Sequence, residues 1–109
     1  MAFDAYDRSL DLLRALAPVF ARLLATDREL EDQLRRSARN VLLNIAEANR
    51  RIGKDRANRF RWALAEAAEV TGALDAAVIL GCLAEADVAE PLALADRIRA
   101  MTYRLAKKG

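Results

Sequence analysis

The chain reads as an all-α protein, an antiparallel up-down-up-down four-helix bundle, and three observations carry that reading. Of its 109 residues 54% are apolar, mostly Ala and Leu, only 6% are aromatic, and Gly and Pro number four and two. That balance favours helices over strands. Apolar residues recur at spacings of three and four along four segments, each about 20 to 27 residues long. The connections between these segments are short, which makes consecutive helices antiparallel neighbours. A chain of this length supports one core, so residues 1–109 are read as a single domain.

The first helix is expected from about Asp4 to Ala25, with Tyr6, Leu10, Leu13, Ala17, Phe20 and Leu24 on its inner side. Pro18 lies within it. A proline removes one backbone donor and crowds the carbonyl of Arg14, which predicts a bend and not a break. Thr26 and Glu29 have the spacing of a capping box and open a second helix, from about Asp27 to Arg51. Gly53 is its expected stop.

This second helix organises the rest. Leu30, Leu34, Ala38, Val41, Ile45, Ala48 and Ile52 follow one another at intervals of four and three, which places them on one narrow face. A second row, Gln33, Ser37, Asn40, Asn44, Glu47 and Arg51, lies roughly 100° around the axis and is entirely polar. Arg35, Arg36, Arg39 and Arg50 occupy the remaining arc. Asp55 is the expected cap of a third helix reaching about Leu83, with Phe60, Leu64, Ala67, Thr71, Leu74, Val78 and Gly81 inward. Its opposite side carries Trp62, Glu66, Glu69, Ala73 and Ala76, a smooth face beside the chain's lone Trp. Asp87 and Glu90 repeat the capping spacing, and Pro91 is tolerable in a first turn. The fourth helix then runs to about Ala106, with Leu94, Ile98, Met101 and Leu105 inward and Lys107 and Lys108 at its negative end.

The inventory of side chains argues against an enzyme. The chain has no His, which removes the Glu-x-x-His pattern of di-iron bundles, the Ser-His triads and the usual zinc sites. Two Met and no His leave little to ligate haem, and the scattered Gly form no phosphate-cradling loop. Cys82, the one cysteine, reads as a small buried hydrophobe on a helix, not a nucleophile. No cofactor or metal is expected. No apolar run is long enough to cross a membrane, the first residues lack signal-peptide order, and a lone Cys fits a reducing, cytoplasmic setting.

Net charge is only +2, yet it is unevenly placed. Between Arg35 and Arg61 stand Arg35, Arg36, Arg39, Arg50, Arg51, Lys54, Arg56, Arg59 and Arg61, against Glu47 and Asp55 alone. Such asymmetry points to an anionic partner, or else to Arg-rich faces that are merely solvated.

The run Gln33-Leu34-Arg35-Arg36-Ser37-Ala38, followed by Asn44-Ile45-Ala46-Glu47, resembles the signature of the 23S rRNA intervening-sequence proteins. That family usually shows Gln-hydrophobic-Arg-Arg-Ala-Ala and then Asn-Ile-Ala-Glu-Gly. The resemblance extends over nearly the whole chain, including the acidic lead-in from Asp27 to Gln33, Ala63 and Glu69. Ser37, Asn40 and Ala48 depart from the family's residues, and Ala65 and Glu66 stand where many relatives carry Gly-Ser. The resemblance implies a four-helix bundle assembling as a homopentameric ring. It also implies kinship with the accessory variability proteins of diversity-generating retroelements, which bind nucleic acid and a reverse transcriptase. It implies no established reaction.

Two sets of candidate residues follow. The nine basic residues from Arg35 to Arg61 are candidates for contact with RNA or DNA phosphates, by charge and shape more than by base readout, since stacking aromatics are scarce in that segment. Asn40, Asn44, Glu47, Trp62, Glu66 and Glu69 are candidates for contacts between subunits. The amide and carboxylate row either fixes the register of neighbouring helices or subunits or lines an RNA-facing surface. Trp62 is either an interface anchor or a lone surface aromatic. A nucleic-acid-binding ring and a protein-interaction scaffold therefore both remain open. Possible partners are further copies of the chain, RNA or DNA, and a reverse-transcriptase-like protein.

Overall fold

A row of apolar residues at alternating intervals of four and three must find a partner face, and the second helix finds two. In the computed structural model, which describes residues 2–108, this helix is α2, Arg28–Ala48. Around it stand α1, Phe3–Thr26, α3, Gly53–Ile79, and α4, Glu85–Lys108. Residues 1 and 109 of the expected domain lie outside the described residues. Leu34, Ala38, Val41, Ile45 and Ala48 are completely buried. Each helix packs on two others, α1 on α2, α2 on α3, α3 on α4 and α4 on α1, so the core fills a square of four. The Cα envelope measures 43 × 21 × 19 Å, close to the ~1.5 Å per residue expected of helices this long.

Side-chain pairs give the direction of packing. Ser37 pairs with Glu69, Asn40 with Glu66 and Asn44 with Arg59, so residue numbers fall along α3 as they rise along α2. Arg22 near the end of α1 meets Asp87 near the start of α4 at 3.0 Å. The Ala2 amide donates to Asn49 Oδ1 at 2.9 Å, which ties the start of α1 to the end of α2. These contacts make the bundle antiparallel throughout.

The structure corrects the inner rows expected for three helices. On α1 the buried residues are Ala5, Ser9, Leu12, Leu16, Val19 and Leu23. Tyr6, Leu13 and Phe20 flank this line half-buried, and Ala17 and Leu24 are exposed. The apolar arc of α1 is wide, and its midline, not its bulkiest edge, faces the core. Ser9 can sit there because its Oγ donates to the Tyr6 carbonyl at 2.6 Å. On α4 the centre is Val88, Pro91, Ala95, Ile98, Thr102 and Ala106, with Leu94, Met101 and Leu105 at the margin. Thr102 Oγ1 is satisfied in the same way, donating to the Ile98 carbonyl at 2.8 Å. On α3, Ala57, Ala63, Val70 and Ala73 join Phe60, Ala67, Leu74 and Ala77, whereas Leu64, Thr71 and Val78 are half-buried. Small residues line this face because α2 and α4 both press against it.

The turns also differ from expectation. Thr26 closes α1, with Oγ1 on the Arg22 carbonyl, and the cap of α2 is Asp27, whose Oδ1 accepts from the Leu30 amide at 3.0 Å. Gly53 does not end α2. It stands at the start of α3 with φ +59°, and Ile52 before it is extended and 87% exposed, outside the seam. Asp55 lies in the first turn of α3 and is not its cap. Gly81 is not on the inner row, because α3 ends at Ile79. With φ +81° it closes the helix: Gly81 N donates to the Val78 carbonyl and Cys82 N to that of Ala77, the paired bonds of a Schellman turn. Cys82 therefore sits in a turn, half-buried, and not on a helix. α4 starts earlier than its capping spacing implied. Asp87 Oδ2 reaches back to the Ala84 amide at 2.9 Å, and Pro91 falls in the second turn, buried. α1 continues through Pro18, which faces solvent.

Ile45→Ala should lower stability by ~2–5 kcal/mol, because the side chain is wholly buried at the middle of the seam. Thermal or chemical denaturation measures this, and a variant as stable as the parent would mean that the seam is not the core.

Candidate functional site

The polar row of α2 lies beside its apolar seam, so it rises at the edge where α3 packs. There it forms three rungs. Ser37 Oγ donates to Glu69 Oε2 at 3.0 Å, Asn40 Nδ2 donates to Glu66 Oε2 at 3.0 Å, and Arg59 Nη1 donates to Asn44 Oδ1 at 3.4 Å. Asn44 Nδ2 is held by the Asn40 carbonyl at 3.0 Å. All six candidate subunit-contact residues thus border one surface, as two shallow hollows that join at Asn44. One is bordered by Asn40, Asn44, Glu47 and Arg59, the other by Asn44, Trp62, Glu66 and Glu69. Glu47 completes the set but turns to its own helix, accepting from Arg51 at 2.8 Å. Gln33 is exposed.

Trp62 is 55% exposed, with the Arg59 guanidinium 4.9 Å from its ring centroid. Leu43, on the same α2–α3 face, is 53% exposed and borders the first hollow. Ala73 is not available to a neighbour as the smooth face implied; it is buried within the bundle.

The nine basic residues divide into three groups. Arg35 and Arg36 share Asp32, at 3.0 and 2.7 Å, and Arg35 also meets the buried Glu31 at 3.2 Å. Arg51 is bound to Glu47 and lies 4.0 Å from Asp55. Arg56 and Arg59 serve the fold. The Arg56 guanidinium lies 4.8 Å from the Phe60 ring centroid and donates to the Ala48 carbonyl at the end of α2, where a cation suits the helix dipole. Arg39, Arg50, Lys54 and Arg61 are exposed, and among the described residues none has a carboxylate within 4.0 Å. Arg50 and Lys54 stand together at the α2–α3 turn.

Two carboxyls of this surface are perturbed in opposite directions. Burial, and then a proton shared with Glu69, push Glu66 above the ordinary carboxylate range, against the pull of Asn40. The hydrogen bond and charge of Arg51 hold Glu47 below it. Glu31 was not singled out in the sequence, because an acid in a helical first turn looks solvated. Only the packing reveals that it is buried. Tyr103, exposed on α4 beside Lys107, was also missed.

No helix is long and apolar enough to cross a membrane, and no group of three or more His, Cys, Asp or Glu is placed to hold a metal ion, among the described residues. Fold and surface together define a small helical-bundle protein with a row of polar groups along the α2–α3 edge and two of its open cations, Arg50 and Lys54, at the turn beyond it. The sequence model of the 23S rRNA-intervening sequence protein family matches residues 2–104, and the chain belongs to that family. A crystal structure of a protein of unknown function from the S23 ribosomal protein family of Bacteroides thetaiotaomicron has the same fold. It superposes with a TM-score of 0.84 at 21% identity, covering 94% of this chain and 98% of that one. Comparison with curated proteins gives no significant match.

Glu66 binds its proton more tightly in the folded chain than in the unfolded one, so its contribution to stability is complete below the ordinary value of 4.5 and is lost as pH rises through the raised folded value. Glu66→Gln should therefore raise the melting temperature at neutral pH and flatten its decline above pH 4.5. Identical melting curves for parent and variant at both pH values would remove the strain assigned to this carboxyl.

Proposed function

We propose that the protein is a non-enzymatic homo-oligomer, a pentameric ring in keeping with its family resemblance, that binds RNA or another nucleic acid through its Arg-rich surface. The observation that carries the nucleic-acid part is the group of exposed cations without a carboxylate partner, Arg39, Arg50, Lys54 and Arg61. Cations held by acids on their own helix contribute little to an anionic ligand, whereas unpaired ones release counterions when they meet phosphates. Repetition around a ring multiplies a modest patch through avidity.

The assembly part rests on the α2–α3 face. Leu43 and Trp62 expose apolar surface there, next to the small Ala46 and Ala65. Exposed aromatic surface beside small residues suits close approach by a neighbour, and Trp is enriched among interface anchors. The carboxylates Glu66 and Glu69 would repel phosphate around Trp62, which suits that part of the face to self-association, while Arg50 borders the adjoining hollow at its turn end. A protein-interaction scaffold without a nucleic-acid role is the alternative, favoured by the three Arg residues already engaged in ion pairs, Arg35, Arg36 and Arg51.

Light scattering coupled to size exclusion should give a mass near five times the 12.1 kDa chain at micromolar concentration, and Trp62→Glu should lower it. A 12.1 kDa species for the parent defeats the assembly. An unaltered mass for the variant returns Trp62 to the free surface.

Binding of structured RNA or single-stranded DNA should weaken steeply with salt, with a log–log slope of about −0.7 to −0.9 per phosphate contact. Replacing Arg39, Arg50 and Lys54 together by Gln should flatten the slope and weaken all sequences about equally, with circular dichroism showing an intact fold. If the parent binds neither ligand at low salt, the scaffold becomes the better account.

A further inference from the structure

We infer that the groove between α3 and α4 around Tyr103 is a stacking site for an unpaired base of a single-stranded nucleic acid. Tyr103 lies near the end of α4 and is 51% exposed. Two adjoining hollows meet at its ring and at Leu64 of α3. One is bordered by Arg61, Ala106 and Lys107, the other by Asp96, Arg99 and Ala100. The floor is thus apolar and the ring is accessible.

The rim is cationic. Lys107 Nζ sits 4.8 Å from the Tyr103 ring centroid. Arg61 donates to Asn58 Oδ1 at 2.8 Å and has no carboxylate within 4.0 Å among the described residues. The one acid on the rim, Asp96, is offset by Arg99 at 3.7 Å. An exposed aromatic ring within a surplus of positive charge matches a ligand with both phosphates and free π-faces. A single strand offers both, while a duplex hides its base faces in the stack. Trp62, an exposed aromatic of α3, lacks this surplus because Glu66 and Glu69 border its hollow and offset the Arg59 guanidinium over its ring.

The inference rests on the nucleic-acid reading above and adds to it what charge alone does not supply, a contact with the bases. Arg61 belongs to the basic segment of the sequence, but Tyr103 and Lys107 reach it only because α4 packs against α3.

The test compares the parent, Tyr103→Ala and Tyr103→Phe in binding a fluorescein-labelled oligothymidylate of about 15 nucleotides, and a blunt duplex of similar length, at low salt. Tyr103→Ala should weaken single-strand binding about 5- to 150-fold, the range that loss of one stacked base produces, and leave the duplex within about twofold. Tyr103→Phe keeps the ring and should bind the single strand like the parent. Circular dichroism reports that each variant is folded, as expected for a half-exposed side chain. If the parent binds but Tyr103→Ala loses less than about twofold, or loses the same on strand and duplex, the stacking site is overturned and the charge-based reading stands. If the parent binds neither probe, that reading falls and this site with it.

Discussion

The bundle depends on the closeness of α2 and α3. Ala38 and Ala48 on α2 and Ala63, Ala67 and Ala77 on α3 share one buried cluster with Val41, Ile45, Phe60 and Leu74. Small residues let the two backbones approach, and close approach brings the polar row of α2 within hydrogen-bonding reach of α3. A seam of larger side chains would have held Asn40 and Glu66 apart. The rungs are therefore a consequence of the apolar packing, and they in turn fix its register. A one-residue rotation of either helix would bury Glu66 or Arg59 without a partner, at the cost of an unsatisfied charge.

Ser37 with Glu69 and Asn40 with Glu66 reach one another only across the helix pair, so each of these side chains is intelligible as part of a unit. Because Glu66 and Glu69 carry this register, the face they occupy is acidic, although the segment around it is the most basic in the chain.

That contrast divides the surface by chemistry. Arg35, Arg36 and Arg51 are drawn into ion pairs by acids one turn away, at the spacing that lets helical neighbours touch. Arg56 and Arg59 are spent on rings and on backbone or amide oxygens. Of the nine basic residues, those that remain open are Arg39 on α2, Arg50 and Lys54 at the α2–α3 turn, and Arg61 on α3. Tyr103 and Lys107 of α4 then extend this set across a groove. Count of basic residues and available positive charge are different quantities here, and only the second bears on a ligand.

The all-α class, the four helices and the buried seam of α2 were legible in the residues, because a 3.6-residue period leaves a mark wherever one helical face is buried. Membership of the family was legible from the Gln33–Ala38 and Asn44–Glu47 runs, and the match over residues 2–104 supports it. The inner rows of α1 and α4 were not legible, since their apolar arcs are wide and periodicity alone cannot say which line within an arc points to the core. The roles of Gly53 and Gly81 were likewise exchanged for neighbouring ones, because a glycine announces a turn without saying on which side of it a helix ends. Pairing between helices was left to the tertiary structure. Ser37 with Glu69, Asn40 with Glu66, and Tyr103 beside Arg61 depend on rotation of each helix about its axis and on which helices adjoin. A local sequence pattern constrains one helix at a time, whereas the surface that a ligand meets is made by two.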